Sequence, residues 1–161
     1  MSAWSILAVI IFKGLAHEAA LKLLELTDGR MIAVQESPLG FRHGPKTIVN
    51  KRTLVVIFLS NDAYTRCYDV DLLDEIAREA KAGGLLAISG SDEGLPAGVE
   101  RILIPAMADA QDVDLLIPFI AAPQMLAFEA AISRGLSPDR PNVSGTVHRV
   151  VQGVRIHTLR L

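Results

Sequence analysis

Two glutamates near the amino terminus carry side chains that can transfer protons. Glu18 and Glu25 lie seven residues apart, two helical turns on one face, with Lys22 between them. A carboxylate in such a position can act as a general acid or base. The same spacing also suits a solvated helix face, where a glutamate four residues before a lysine adds only about 0.2–0.5 kcal/mol to helix stability. The spacing alone leaves both interpretations open.

A histidine lies in the most unusual stretch of the chain, residues 36–46 (ESPLGFRHGPK). Two glycines bracket Arg42 and His43, and Pro45 suits the first position of a helix. The positive end of a helix dipole disfavours imidazolium, so His43 would stay neutral there and exchange protons at about pH 7. The alternative is a glycine–proline turn that carries a histidine by chance.

Hydroxyl side chains follow the central predicted strand at Ser60 and Thr65. Hydroxyls and backbone amides at this end of a strand suit an anion such as phosphate. Asp62 places a negative charge in the same turn, and glycine is missing where the backbone would need to approach an anion closely. A cap by Asn61 or Asp62 on the following helix is the competing interpretation.

Residues 137–161 differ from residues 1–136, which we interpret as one domain. Proline and glycine interrupt regular structure in this tail. After Asp139 the tail holds no acid, and its basic or titratable side chains are Arg140, His148, Arg149, Arg155, His157 and Arg160. A tail of one sign can close over an anionic ligand or bind a partner subunit, and both interpretations remain open.

Composition argues against several classes of function. Sixteen Lys and Arg against eighteen Asp and Glu give a formal charge of -2, which argues against nucleic acid as a partner. The apolar run at residues 3–12 has about half the roughly 20 residues of a membrane helix, and no basic residue precedes it. We therefore expect no membrane association, no export signal and a cytoplasmic location. Four histidines and one cysteine show no metal-ligand spacing, and no dinucleotide or P-loop motif occurs.

Short aliphatic runs alternate with longer helical patterns along the predicted domain. The runs predict five buried strands, at residues 6–12, 31–34, 53–59, 85–88 and 101–104. The helical patterns fall at residues 14–27, 62–82 and 112–134. This alternation predicts an α/β fold, a three-layer αβα sandwich around a five-stranded, mainly parallel sheet. Such sheets bind ligands at the carboxyl ends of their strands.

Four strings of the sequence together resemble the sugar isomerase (SIS) family. They are EAALKLLE at residues 18–25, ESPLGFRHGPK at 36–46, SNDAYTR at 60–66 and SGTVHRVVQGVRIH at 144–157. More narrowly, the chain resembles the second of the two SIS domains in phosphosugar isomerase and amino-sugar deaminase members. The resemblance implies a flavodoxin-like or Rossmann-like sheet and a phosphorylated sugar or amino sugar as substrate.

The resemblance also implies roles for individual residues. Glu25 corresponds to the base that moves a proton between C1 and C2 of the sugar, and Glu18 to a supporting position near it. His43 corresponds to the histidine that assists ring opening and crosses a dimer interface, so we expect a homodimer or a higher homo-oligomer. Further substrate contacts are expected from Arg42, Ser60, Thr65, His148 and Arg149.

The chain departs from the family pattern at three points. Of the glycine-rich stretch after the first strand only Gly14 remains, and of the S-x-S-G-x-T phosphate cradle only Ser60 and Thr65 remain. The first SIS domain of the family has no counterpart in these residues.

Two hypotheses of different classes follow. The first is an aldose/ketose isomerase or amino-sugar-phosphate deaminase that works by ring opening and C1–C2 proton transfer, without a metal or organic cofactor. The second is a shortened, non-catalytic SIS domain that binds a phosphosugar or serves only in dimerisation.

Overall fold

The computed structural model of the chain describes residues 2–8, 12–143, 145, 150 and 153–158. Its strands are β1 (Ser2–Ala8), β2 (Met31–Glu36), β3 (Thr53–Phe58), β4 (Gly84–Ser89) and β5 (Glu100–Leu103). Its α-helices are α1 (Lys13–Leu26), α2 (Pro38–Phe41), α3 (Ala63–Glu79) and α4 (Leu116–Ile132). Short 3-10 turns lie at Pro45–Ile48 and Pro105–Met107.

The strands form one sheet in the order β2-β1-β3-β4-β5, with every neighbouring pair parallel. This is the strand order of flavodoxin-like folds, in which the order reverses beside the first strand. The prediction of an α/β fold built on a parallel sheet with covering helices is therefore confirmed.

The central strand β3 separates two hydrophobic clusters because its side chains alternate between the faces of the sheet. Val56 and Phe58 pack against α1 and α4 on one face. Val55 and Ile57 pack against α3 and Phe41 of α2 on the other face. All four strand residues are at most 1% exposed. The helices thus form two layers with the sheet between them.

Local chemistry sets the bounds of α3. The Asp62 carboxylate accepts the backbone N–H of Thr65 at 2.8 Å and caps the helix start, as one of the two interpretations of this turn predicted. Ala80 ends the helix in the left-handed region, at φ 50°. Gly83 then passes close to the start of β3, where a Cβ atom would lie 2.4 Å from the Lys51 carbonyl oxygen. Only glycine fits this approach.

The predicted first strand was wrong in its position. It was placed at residues 6–12, whereas β1 covers Ser2–Ala8, and residues 9–11 lie outside the described residues. Phe12 belongs to the start of α1, is 0% exposed, and has its ring centroid 5.4 Å from that of Phe119. An apolar run marks burial but does not distinguish a buried strand from a buried helix start, which explains the error.

The packed core reaches along the chain as far as Leu136. Leu136 is 6% exposed, and the described residues of the tail beyond it form neither helix nor strand. The division between residues 1–136 and 137–161 stays a prediction. Among the described residues, no helix has both the length and the apolar character needed to cross a bilayer.

The aromatic cluster of Phe12, Phe58 and Phe119 generates a stability prediction. Replacing the fully buried Phe119 with alanine leaves a cavity between α4 and the sheet, and should lower the free energy of unfolding by about 3–5 kcal/mol. Tyr64→Ala is the matched control, since Tyr64 is 72% exposed and its loss should cost no more than about 1 kcal/mol. Urea denaturation of both variants checks this, and equal losses would contradict the assigned core.

Candidate active site

Glu25 lies in the last turn of α1 with its side chain open to solvent. Its carboxylate accepts a hydrogen bond from the Lys22 ammonium at 2.8 Å, and Glu18 lies 3.7 Å from the same ammonium. The hydrogen bond to Glu25 is the main reason that the pKa of Lys22 is raised. The three side chains are 34–42% exposed, so both glutamates are accessible to a ligand. This is the solvated, ion-paired helix face that was one interpretation of the spacing between Glu18 and Glu25. An exposed carboxylate on this face can also accept a proton.

His43 lies between α2 and the following 3-10 turn, and it is exposed. Its backbone N–H donates to the Gly40 carbonyl oxygen at 3.1 Å. The helix predicted to start at Pro45 is a single 3-10 turn of four residues. The predicted helix was therefore wrong, because the residues after Gly44 form only this one turn.

Ion pairs anchor the His43 loop to α3. Arg42 Nε lies 2.9 Å from Glu75 Oε2, and the Lys46 ammonium contacts the carboxylates of both Glu75 and Glu79. The hydrogen bond from Lys46 is the largest of the effects that hold the pKa of Glu75 below its ordinary value. Phe41, two residues before His43, is 0% exposed and packs in the core. His43 is thus carried on a loop that is held on both sides.

A cavity of about 470 Å³ opens beside this histidine. Its volume lies within the range of small-molecule sites. The polar side chains that line it are those of Arg42, His43, Lys46, Thr47, Glu79 and Lys81. Its three cations are ion-paired with the carboxylates of Glu75 and Glu79, so the lining and its partners keep one net positive charge, which suits an anionic or polyhydroxylated ligand.

One chain does not bring Glu25 and His43 together. Glu25 lies on α1, which packs on the face of the sheet that carries Val56 and Phe58. The His43 loop is anchored to the opposite layer, through Phe41 in the core and through the ion pairs to α3. The sheet separates the two side chains.

The turn after β3 is filled by the protein's own carboxylates. Ser60 is 0% exposed, and its hydroxyl donates to Asp112 Oδ2 at 2.5 Å. The Asn61 backbone N–H donates to the other oxygen of Asp112 at 2.7 Å. Both the N–H and the hydroxyl of Thr65 donate to Asp62, at 2.8 and 2.6 Å. An anion that contacted this turn would have to displace these carboxylates.

Asp69 is a buried acid that the sequence patterns did not identify. It is 0% exposed, and one of its oxygens accepts the Ser60 backbone N–H at 3.1 Å. Its other oxygen has no hydrogen-bond partner among the described residues. The pKa of Asp69 is raised to about 7, chiefly by burial and also by the nearby Asp112 carboxylate, while the Ser60 N–H and Arg66 oppose this rise.

A sequence signal for Asp69 did exist. It precedes three fully buried residues of α3 at helical spacing, namely Leu72, Leu73 and Ile76. An acid on the apolar stripe of a helix is unusual enough to mark a buried polar network. The sequence patterns also did not identify the role of Arg66 on the same helix. Its guanidinium connects the turns after β3 and β4, because it donates hydrogen bonds to Ser60 O, Ser89 Oγ, Ser91 O and Glu93 O.

His148 and Arg149 lie outside the described residues. Their predicted contacts with a substrate stay predictions. Within the described part of the chain, no group of three or more His, Cys, Asp and Glu side chains could hold a metal ion.

In sequence and fold the chain resembles a SIS domain, the α/β domain of phosphosugar isomerases. It is 46% identical over 147 residues to an AgaS protein of Streptomyces coelicolor, covering 91% of this chain and 38% of that protein. The D-galactosamine-6-phosphate deaminase AgaS of Escherichia coli O157:H7 is 45% identical over 145 residues, which are 90% of this chain and 38% of that protein. No family model matches the chain.

A solved structure agrees with these relatives. The tagatose-6-phosphate ketose/aldose isomerase from Escherichia coli superposes with a TM-score of 0.86 at 36% sequence identity. The match covers 99% of this chain and 40% of that chain. The protein thus spans well under half the length of the relatives it matches, and their whole activity does not transfer to it directly.

Asp69 generates a pH prediction. Its folded pKa of about 7 lies above its unfolded value of about 3.9, so the folded state binds the extra proton, and the stability that this provides is lost as the pH rises. The free energy of unfolding should fall by about 2–3 kcal/mol more between pH 5 and pH 8 in the wild type than in Asp69→Asn. The amide keeps an acceptor for the Ser60 N–H and carries no charge.

Urea denaturation at a series of pH values measures this difference. Asp71→Asn is the matched control, because Asp71 is exposed on the same helix and its variant should follow the wild-type profile. Parallel pH profiles for the wild type and Asp69→Asn would show that Asp69 is ionised throughout.

Proposed function

We propose that this chain carries the proton-transfer residues of a phosphosugar aldose/ketose isomerase or amino-sugar-phosphate deaminase. Glu25 is the base and His43 the ring-opening residue. The proposal rests on where the Glu25 and His43 side chains lie. Both side chains are exposed, and each lies beside ion-paired neighbours. They belong to opposite layers of one chain. The identity with AgaS proteins over nine-tenths of this chain supports the choice of reaction.

The chemistry follows from the properties of these side chains. His43 transfers the proton of the O1 hydroxyl to the ring oxygen, so that the bond between C1 and the ring oxygen breaks and the cyclic sugar opens to the aldehyde. Glu25 then removes the proton from C2, giving an enediolate, and returns it to C1 after the remaining hydroxyl proton has moved from O2 to O1. With an amino group at C2, the same transfer gives an imine, and water then replaces ammonia to give the ketose phosphate.

The substrate is a sugar phosphate or amino-sugar phosphate, and its supporting contacts belong to the same proposal. Glu18 shares Lys22 with Glu25 and would face the sugar beside it. Arg42 lines the cavity next to His43 and supplies positive charge. Further contacts are assigned to Ser60, Thr65, His148 and Arg149. The reaction as written needs no metal or organic cofactor, and a cytoplasmic location is part of the same proposal.

A second copy of the chain completes the site in this proposal. The separation of Glu25 and His43 by the sheet is the reason. In a two-fold dimer, each copy would supply its Glu25 to one site and its His43 to the other.

A binding module is the second candidate function. The observation that favours it is the turn after β3, where Asp112 and Asp62 take the donors that a phosphate group would use. Loss of phosphate contacts raises KM even where the catalytic groups are in place. The chain would then bind a phosphosugar weakly or contribute only to dimerisation.

Activity of the purified chain separates the two candidates. Turnover of tagatose 6-phosphate, or ammonia release from galactosamine 6-phosphate, is expected from the wild type and should fall by about 10²–10⁴-fold in Glu25→Gln. Glu100→Gln is the control, since Glu100 is an exposed acid on β5 and should keep full activity. No wild-type turnover, together with measurable phosphosugar binding, favours the binding module.

Mixing two inactive variants tests the shared site. Glu25→Gln and His43→Ala chains mixed in equal amounts, unfolded and refolded together, should recover about a quarter of the wild-type activity, because half of the dimers are mixed and each of these contains one intact site. Each variant refolded alone should stay inactive. No recovery in the mixture would place both residues of a site in the same chain.

A further inference from the structure

Hydrogen bonds from two residues of the turn after β3 hold the loop between β5 and α4, residues 105–115. The Asn61 side-chain amide donates to Met107 O at 2.8 Å and to Ala110 O at 2.9 Å. The Asn61 backbone N–H and the Ser60 hydroxyl donate to the two oxygens of Asp112. The remaining hydrogen bonds of the described loop residues run to neighbours within residues 104–119. The attachment of this loop therefore depends on Ser60 and Asn61.

Two carboxylates share Ser60. Asp69 accepts its backbone N–H at 3.1 Å, and Asp112 accepts its hydroxyl at 2.5 Å. The Asp112 charge is close enough to be one of the causes that raise the pKa of Asp69. Because such an interaction acts equally in both directions, an ionised Asp69 destabilises the Asp112 carboxylate in its place on Ser60.

The surrounding charges favour one ionised carboxylate over two. Arg66, on the same helix as Asp69, is the cation that faces it. The hydrogen bonds of Arg66 go to backbone carbonyls and to a serine hydroxyl, and none goes to Asp69 or Asp112. Asp92 and Glu93, in the turn after β4, face Arg66 and add further negative charge. A second ionised acid in this network is therefore poorly compensated.

Of the two acids, only Asp112 can turn to solvent without disturbing the core. Asp69 is 0% exposed on α3, and its Oδ1 has no hydrogen-bond partner among the described residues. Asp112 is half-buried and lies in a turn before α4. When both acids are ionised, movement of Asp112 relieves the repulsion at the lower cost.

We propose that Ser60, Asn61, Asp69 and Asp112 form a proton-controlled latch for residues 105–115. While Asp69 is neutral, Asp112 stays on Ser60 and Asn61 and holds the loop on the turn after β3. When Asp69 loses its proton, Asp112 leaves the turn and the loop separates from it. The latch uses neither of the two proposed proton-transfer residues, so it does not depend on the proposed function.

The direction of the pH effect follows from the same contacts. Asp69 holds its proton more tightly with the latch closed, so the latch is closed at low pH and opens as the pH rises through about 7. The loop leads directly into α4 through the fully buried Leu115, which packs in the hydrophobic cluster that includes α1. Opening of the latch therefore loosens the start of α4 in the layer that carries α1.

Methyl NMR of labelled methionine tests the latch. Met107 lies in the loop, and Met31, 2% exposed on β2, is the internal control. In the wild type the Met107 methyl signal should move between pH 5 and pH 8, while the Met31 signal stays in place. The movement should be toward the position seen in Asp112→Ala, a variant in which the latch cannot close.

Asp69→Asn supplies the opposite reference. The amide cannot ionise and keeps an acceptor for the Ser60 N–H, so Met107 should stay at its low-pH position throughout. Asp71→Asn, exposed on the same helix, should follow the wild type. A wild-type Met107 signal that does not move, or an equal movement in Asp69→Asn, would overturn the proposal.

The reciprocal effect gives a second test that needs no movement of the loop. Carbon-13 NMR of the carboxyl groups should show that Asp69 ionises at a lower pH in Asp112→Ala than in the wild type. Asp114→Ala, which removes an exposed acid two residues away, should leave the Asp69 titration unchanged. Equal titration of Asp69 in the wild type and in Asp112→Ala would show that the two acids are not coupled, and the latch would be rejected.

Discussion

Burial of β3 on both faces is the constraint on which the rest of the molecule depends. Val55 and Ile57 point into one hydrophobic cluster and Val56 and Phe58 into the other, so the helices must form two separate layers. The crossover connections of a parallel sheet then distribute α1 and α4 to one layer and α2 and α3 to the other. The two best candidates for catalysis, Glu25 and His43, are divided by the same sheet that stabilises the fold.

The turn after β3 is held together by the chain's own carboxylates. Asp112 reaches across from the loop before α4 and accepts from Ser60 and Asn61, while Asp69 accepts from the Ser60 backbone beneath them. These bonds join β3, α3 and the approach to α4 into one network. They stabilise the architecture, and they place negative charge at the turn where the sequence had predicted contacts with an anion.

Much of the architecture could be predicted because short aliphatic runs and helical spacings are properties of local sequence. The runs before Ser60 and Gly90 predicted β3 and β4 within about one residue at each end. The first run failed because apolar content reports burial without reporting conformation, and Phe12 is buried as part of a helix start. Asp69 and Asp112 were missed as partners because they are 43 positions apart in the sequence and meet only through Ser60.

Residue types, periodicities and short motifs are local, so they were enough to predict the α/β class, the proton-transfer candidates and the resemblance to SIS domains. Which of these residues lie near one another depends on the packed layers. The tertiary structure separated Glu25 from His43 and closed the Ser60 turn with carboxylates. Each of these outcomes depends on which surfaces the packed layers bring into contact, and that is a property of the whole fold.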